Sequence, residues 1–270
     1  MEHVFSPLPE KAVILIPARY ESQRFPGKPL AMLRGATGAA KPLIQRTWEA
    51  AAAGGMADSV CVLTDDPRIR ETAEAFGARV LMTPPSCRNG TERCSAALAA
   101  LPDKDIIVNA QGDSPLTPGG LACRLARYLA DHPEADVVSA AFIAPDSVRS
   151  RLIADAEEGR VGGTSVVLDA AGRAMYFSKR LLPFGVESDP SLALRLHLGI
   201  YAYRRSALAA YPDLPIPPME GAEGLEQLRF LNAGTRIDVL DIEPQDDFWE
   251  VNNPDDVPLV EAALKVRGIS

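Results

Sequence analysis

The residues best suited to chemistry lie in one loop, Pro17–Leu30, which reads PARYESQRFPGKPL. It carries three cations, Arg19, Arg24 and Lys28, against the single acid Glu21. Positive side chains beside exposed backbone N–H groups are suited to the oxygens of a triphosphate. The segment therefore predicts a phosphate-binding loop, and the alternative is a solvated basic loop that binds nothing.

Two common phosphate-binding motifs are absent from this loop. A P-loop requires Ser or Thr after its lysine, but Pro29 follows Lys28, and no glycine stands five residues before Gly27. The dinucleotide-binding pattern G-x-G-x-x-G is also missing. Gly27 still lets the backbone approach a ligand closely. Any phosphate binding must therefore follow another scheme.

A single carboxylate stands out farther along the chain, in the segment VNAQGDSP at 108–115. Its aspartate, Asp113, follows a continuously apolar run that predicts a strand. Magnesium prefers carboxylate and phosphate oxygens, and it usually takes one or two ligands from the protein. Asp113 is therefore the candidate magnesium ligand, and the alternative is an ordinary turn or N-cap aspartate.

The first half of the chain alternates short apolar runs with helical patterns. This order predicts right-handed crossovers and a parallel sheet with helices on both faces. Ligands of such sheets bind beyond the carboxyl ends of the strands. The basic loop and Asp113 should therefore share one crevice. The predicted strands are Ala12–Pro17, Ser59–Thr64, Arg79–Met82 and Asp105–Asn109.

The pattern changes after Asp131, where strands are separated mainly by loops rather than by regular helices. We predict a mixed sheet that continues the first half, with an excursion over residues 144–218 and a catalytic domain formed by residues 1–143 and 219–270. Asn253 and Pro254 should start a final helix. The later predicted strands are Asp136–Phe142, Thr164–Asp169, His197–Tyr203 and Arg236–Leu240.

The composition of the chain argues against several classes of protein. The chain has 270 residues, of which 47% are hydrophobic, and its formal net charge is −8, which argues against general nucleic-acid binding. No apolar run approaches the length of a membrane span, and residues 1–11 lack a signal-peptide pattern, so we expect a cytoplasmic protein without membrane insertion. The four cysteines lack zinc-site spacing and are expected to be reduced thiols.

Seven motifs occur along the chain: IPARYESQRFPGKPL, TDDPRI, NGTERC, VNAQGDSPL, MYFSK, HLGIYAYR and LEQLRFL. Together they resemble one known family, CMP-Kdo synthetase (3-deoxy-manno-octulosonate cytidylyltransferase). The resemblance implies a three-layer, Rossmann-like nucleotidyltransferase fold of class α/β, with the excursion 144–218 as a small dimerisation and sugar-binding region and with a homodimeric state. It also implies magnesium-dependent transfer of CMP from CTP to an acidic sugar, with release of pyrophosphate.

The same resemblance implies roles for individual residues. Lys28, Asp113 and Arg19 are the candidates for catalysis, with Asp113 and Asn252 as candidate metal ligands. Nucleotide binding is implied for Arg19, Ser22, Arg24, Lys28, Gly90, Thr91, Glu92, Arg93 and Gln111. Sugar binding is implied for Lys179, His197, Tyr201, Glu223 and Gln227. A general-base role is not proposed for His197, because a histidine in an apolar strand is at least as often structural.

One departure from the family pattern concerns the metal. The family usually reads Val-Asp-Thr-Pro where this chain reads Val-Asn-Asn-Pro, so a neutral amide, Asn252, replaces a carboxylate. We expect weaker metal binding unless Asp246, Asp247 or Glu250 compensates. This substitution leaves open a catalytically weak homologue that acts as a nucleotide-binding regulator.

Other departures from the family pattern affect residues in the region expected to bind the sugar. Ser114 stands where Glu is common, Ser165 where Lys is common, Lys179 where Arg is usual, and Gly221 where His is common. Arginine and lysine bind a carboxylate with different geometry. The hypothesis is that CTP use is kept while the acidic sugar differs from Kdo, and a nucleotidyltransferase for another base or acceptor remains the other alternative.

Overall fold

The computed structural model describes residues 7–22, 24–53, 55–244 and 250–270. The strands are β1 (Ala12–Pro17), β2 (Met32–Arg34), β3 (Ala40–Pro42), β4 (Val60–Thr64), β5 (Arg79–Met82), β6 (Ile106–Ala110), β7 (Val137–Ile143), β8 (Ser165–Leu168), β9 (Ala174–Ser178), β10 (Arg195–Arg204) and β11 (Ile237–Asp241). The α-helices are α1 (Leu43–Ala52), α2 (Pro67–Ala75), α3 (Gly90–Ala96), α4 (Leu121–Asp131), α5 (Asp146–Glu157), α6 (Arg205–Ala210), α7 (Pro218–Glu223), α8 (Leu228–Asn232) and α9 (Val257–Val266).

One large sheet runs through the molecule in the order β11-β7-β10-β6-β1-β4-β5. The strands of this path are parallel except β10, which pairs antiparallel with both β6 and β7. The hairpin β8–β9 extends the sheet from β10, and β2–β3 form a separate small hairpin. The prediction of a mixed, mostly parallel sheet is confirmed.

Burial on both faces of the central strands explains why they are so apolar. Ile14 and Ile16 of β1 pack into a core with α1, α2, α4 and α5, whereas Val13 and Leu15 pack into a second core with α3, α6 and α8. Alternate residues of a strand point to opposite faces, so a strand covered on both sides needs apolar residues throughout. The predicted three-layer arrangement is confirmed.

Side chains cap the first turns of two helices. The Asp66 side chain caps α2 by accepting from the backbone N–H of Arg68 at 2.9 Å. The Asn89 side chain caps α3 by accepting from the backbone N–H of Glu92 at 2.8 Å. Helix α4 begins at Leu121, directly after Gly120.

The second half of the chain contains more regular structure than predicted. Helix α5 and strand β9 occupy stretches that were expected to be loops. Strand β10 lies within the predicted excursion 144–218 but stands in the middle of the main sheet, between β6 and β7. The domain boundaries and the dimerising role of this segment stay predictions. Among the described residues, no helix is long and apolar enough to cross a bilayer.

Candidate active site

The carboxyl ends of β1 and β6 meet at one edge of the sheet, where the two candidate segments begin. The strands are parallel neighbours, paired from Ala12 with Ile106 to Leu15 with Asn109. A Cβ atom at Gly112 would lie 2.7 Å from the carbonyl oxygen of Pro17. Only glycine lets the loop after β6 pass this close to the end of β1.

The basic loop and the candidate metal ligand are in direct contact. The Nζ atom of Lys28 lies 2.6 Å from Oδ2 of Asp113, and the two side chains are 17% and 23% exposed. The structure therefore brings together the two segments that the sequence analysis placed in a common crevice. The chemical roles of Lys28 and Asp113 stay predictions.

The path of the basic loop is fixed by its own packing. Gly27 has a φ of 71°, and the chain continues into a short 3-10 helix, Lys28–Leu30. A Cβ atom at Gly27 would lie 3.1 Å from the ring of Tyr20, and the guanidinium of Arg68 lies 3.3 Å from the centre of that ring. Tyr20 thus supports the turn that carries Lys28 and is itself held by a cation–π contact.

A cleft of about 1080 Å³ opens at this edge of the sheet. It is wide and polar, as a site for a charged nucleotide should be, and it is lined by residues from six separate parts of the chain. Of the predicted nucleotide and metal residues, it brings together Arg19, Ser22, Arg24, Lys28, Gly90, Arg93, Gln111, Asp113 and Asn252.

Helix α3 forms one wall of the cleft, but not all of its predicted residues face the opening. Thr91 is 1% exposed, and its hydroxyl lies 3.1 Å from the hydroxyl of Tyr203. Arg93 lines the cleft while its guanidinium donates to Thr83 at 2.5 Å and to Asp65 at 3.3 Å. Glu92 is 8% exposed and forms ion pairs with Arg88 and Arg229.

One residue that the sequence analysis did not nominate links the walls of the cleft. The carboxylate of Glu226 accepts from the backbone N–H of Thr91 at 3.1 Å and from Nε2 of Gln111 at 3.4 Å. Burial raises the pKa of this carboxyl group above its ordinary value. The motif LEQLRFL contained Glu226, but the polar contacts that single it out come from segments more than a hundred residues away.

Two of the predicted sugar residues meet beside the cleft. Glu223 accepts from the Ser178 hydroxyl at 2.7 Å and from the backbone N–H of Lys179 at 2.9 Å. The next residue, Gly224, lines the cleft, and a Cβ atom there would lie 2.9 Å from Nζ of Lys179. The Lys179 amine and the Glu223 carboxylate therefore lie near one end of the opening.

The other predicted sugar residues belong to the packed interior. Gln227 and Tyr201 are 4% and 3% exposed, and the ring centres of Tyr201 and His197 are 5.2 Å apart. The hydroxyl of Ser139 donates to the carbonyl of Ile200 at 2.7 Å, so Nε2 of His197, 2.8 Å away, must be the donor to Ser139.

The environment of His197 keeps its ring neutral. Burial lowers the pKa of His197 from 6.5 to about 3, because the loss of solvation disfavours the charged ring. A ring that stays neutral at physiological pH and whose Nε2 proton is engaged fits a structural or positioning role. It does not fit a base that must take up a proton during turnover.

The lowered pKa of His197 predicts how the free energy of unfolding depends on pH. Below pH 6.5 the unfolded chain protonates His197, whereas the folded chain does not do so until about pH 3. The unfolded state binds more protons in that window, so the free energy of unfolding falls as the pH falls, by up to about 1.4 kcal/mol per pH unit from this group. Urea titrations should show a His197→Gln variant losing less stability than wild type between about pH 6 and about pH 4. Parallel losses in the two proteins would contradict the neutral assignment.

The C-terminal segment borders the cleft beside Asp113. The backbone N–H of Val251 donates to the carbonyl of Asp113 at 3.0 Å, and Nη2 of Arg24 donates to Oδ1 of Asn252 at 3.4 Å. The Glu250 carboxylate accepts from the Ser114 hydroxyl at 3.3 Å. Burial and the neighbouring Asp113 raise the pKa of Glu250 to about 7. Asp246 and Asp247 lie outside the described residues.

Comparison with known proteins identifies the family. A sequence model described as cytidylyltransferase matches residues 13–237 of the chain. The chain belongs to the cytidylyltransferase family. This cytidylyltransferase is 41% identical over 256 residues to 3-deoxy-manno-octulosonate cytidylyltransferase of Maricaulis maris, covering 94% of the chain and 97% of that protein. It is 38% identical to 8-amino-3,8-dideoxy-manno-octulosonate cytidylyltransferase of Shewanella woodyi, covering 94% and 98%.

Solved structures agree with that membership. The cytidylyltransferase matches CMP:2-keto-3-deoxy-manno-octonic acid synthetase, solved in complex with CTP, with a TM-score of 0.80 and 33% identity over 96% of the chain and 100% of that protein. A glucose-1-phosphate thymidylyltransferase from Bacillus anthracis shares the fold, with a TM-score of 0.59 and 11% identity over 94% of the chain and 95% of that protein. The predicted nucleotidyltransferase fold and enzyme class are confirmed.

Proposed function

We propose that this enzyme transfers CMP from CTP to 3-deoxy-manno-octulosonate or a close analogue, and that it releases pyrophosphate. The observation that carries the proposal is the contact of Lys28 with Asp113 at 2.6 Å in a cleft that also contains Arg19 and Arg24. The names of the similar proteins support CTP as the nucleotide and an eight-carbon acidic sugar as the acceptor.

The proposed reaction needs positioning and charge neutralisation, with no covalent step on the protein. The anomeric hydroxyl of the sugar attacks the α-phosphorus of CTP, its oxygen–phosphorus bond forms, and the bond to the pyrophosphate oxygen breaks. The hydroxyl proton is lost to solvent. Lys28, Arg19 and Arg24 neutralise the negative charge that grows on the departing pyrophosphate.

The residues present fit magnesium. Lys28 occupies Oδ2 of Asp113, while among the described residues Oδ1 has only a long contact of 3.5 Å from the Ser114 hydroxyl, so one carboxylate oxygen is available to a metal. Carboxylate oxygens beside a triphosphate are the ligands that magnesium prefers. When bound, the ion supplies Lewis-acid stabilisation of phosphoryl charge, which contributes on the order of several kcal/mol.

A pyrophosphate-release assay tests the proposed function. We expect release only when CTP, magnesium and an acidic sugar are all present, and little with ATP, GTP or UTP. Kdo and 8-amino-Kdo should be compared with other acidic sugars. If no acidic sugar supports release, although CTP binds, the chain is the nucleotide-binding regulator that Asn252 left open, and the proposed activity is wrong.

We also propose, from the family resemblance, that the enzyme is a cytoplasmic homodimer. Neither assignment affects the chemistry described above. Sedimentation of the purified chain tests the dimer directly. A single species with the mass of one chain, at the concentrations at which the enzyme is active, would contradict it.

A further inference from the structure

Glu250 is one of the acidic residues that the sequence offers to compensate for Asn252 at the metal site, and its carboxylate shares the Ser114 hydroxyl with Asp113. Building on the proposed function, we propose that Glu250 supplies the second anionic oxygen of this site beside Asp113. We further propose that Asn252 does not itself bind the metal.

The backbone arrangement places Glu250 and Asn252 on the same side of their segment. Val251 donates its N–H to the carbonyl of Asp113 at 3.0 Å, and its side chain is fully buried in the core formed with α9. The residues on either side, Glu250 and Asn252, are both partly exposed. Because neighbouring side chains alternate in direction, Glu250 and Asn252 both point away from the core that contains Val251. The hydrogen bond from Val251 to Asp113 places them beside that residue.

The Ser114 hydroxyl lies between the two carboxylates and cannot serve both. It lies 3.5 Å from Oδ1 of Asp113 and 3.3 Å from Oε1 of Glu250. A hydroxyl has one proton, so it can donate to only one of these oxygens at a time. Both contacts are also long for an O–H···O⁻ hydrogen bond. A divalent cation with its bound waters would satisfy both oxygens, whereas the serine cannot.

The contact that Asn252 makes explains why it is not a metal ligand. Its amide oxygen, the one side-chain atom able to bind magnesium, accepts from the guanidinium of Arg24 at 3.4 Å. A metal ion at that oxygen would lie beside the positive charge of Arg24, which disfavours it.

Metal affinity, measured without turnover, tests the inference. Mn²⁺ is titrated into the full-length protein with CTP and no sugar, and free Mn²⁺ is followed by electron paramagnetic resonance. We expect Glu250→Gln to weaken Mn²⁺ binding about tenfold or more, because a charged ligand is lost. The exposed Glu187→Gln variant removes the same charge away from the cleft and should bind Mn²⁺ like wild type.

A second variant tests whether Asn252 binds the metal. Asn252→Ala should weaken Mn²⁺ binding less than Glu250→Gln does, because the carboxylate remains. In the Glu250→Gln background, Asn252→Asp should recover part of the lost affinity by restoring one negative charge. Unchanged binding in Glu250→Gln, or a larger loss in Asn252→Ala than in Glu250→Gln, overturns the inference. Pyrophosphate release by wild type would leave the proposed function intact in either case.

Discussion

Replacing Lys28 by alanine should lower kcat by on the order of a thousandfold, because several kcal/mol of charge stabilisation in the transition state is lost. Lys28 is held at the cleft by the turn at Gly27 and by Asp113, and both contacts keep its amine at the phosphate end. Steady-state kinetics with saturating CTP and sugar measure the effect. The fall should appear in kcat more than in the KM for CTP, since Arg19 and Arg24 remain to bind the nucleotide.

The control for this variant is Lys11→Ala. Lys11 pairs with Asp105 at an exposed position, where its side chain is 72% exposed, and its removal should leave the rate unchanged. Circular dichroism and the urea midpoint should show that both variants fold. Near-normal turnover by Lys28→Ala would refute the role assigned to this lysine.

Replacing Asp113 by alanine should abolish turnover for a different reason. The carboxylate is the proposed metal ligand at the tip of β6, and its loss should raise the magnesium concentration required as well as lower kcat. Asp103 lies at the opposite end of the same strand in an exposed turn, so Asp103→Ala is the matched control. The measurement is the rate as a function of magnesium concentration for the three proteins.

Excess magnesium distinguishes the role of Asp113 from that of Lys28. A partial recovery of Asp113→Ala at high magnesium, with no such recovery in Lys28→Ala, is expected if only Asp113 binds the ion. An Asp113→Ala enzyme with the wild-type magnesium dependence would show that the metal is held elsewhere.

Much of the fold was predictable because strands buried on both faces have uninterrupted apolar sequences. β1 is covered on both faces, and its uninterrupted apolar run predicted its bounds, Ala12–Pro17. The meeting of Lys28 with Asp113 followed from the rule that parallel strands gather their carboxyl ends at one edge. Both arguments use local sequence and a general property of parallel sheets.

The second half was harder to predict because its pairing is non-local. β10 inserts antiparallel between β6 and β7, strands far from it in sequence, and no local pattern specifies that position. The same holds for a carboxylate of the cleft wall, Glu226, which is identified by Thr91 and Gln111 through contacts made only after folding. Glu250 was one of three acidic candidates in the sequence, and its contact with Ser114 distinguishes it.

The account depends most on how the paired Lys28 and Asp113 respond to nucleotide. A crystal structure of the enzyme with magnesium and an unreactive CTP analogue tests this directly. We predict that the 2.6 Å contact opens, with Lys28 moving onto the phosphate oxygens and Asp113 binding the metal that the triphosphate carries. A triphosphate bound away from both residues, with the ion pair still closed, would contradict the account.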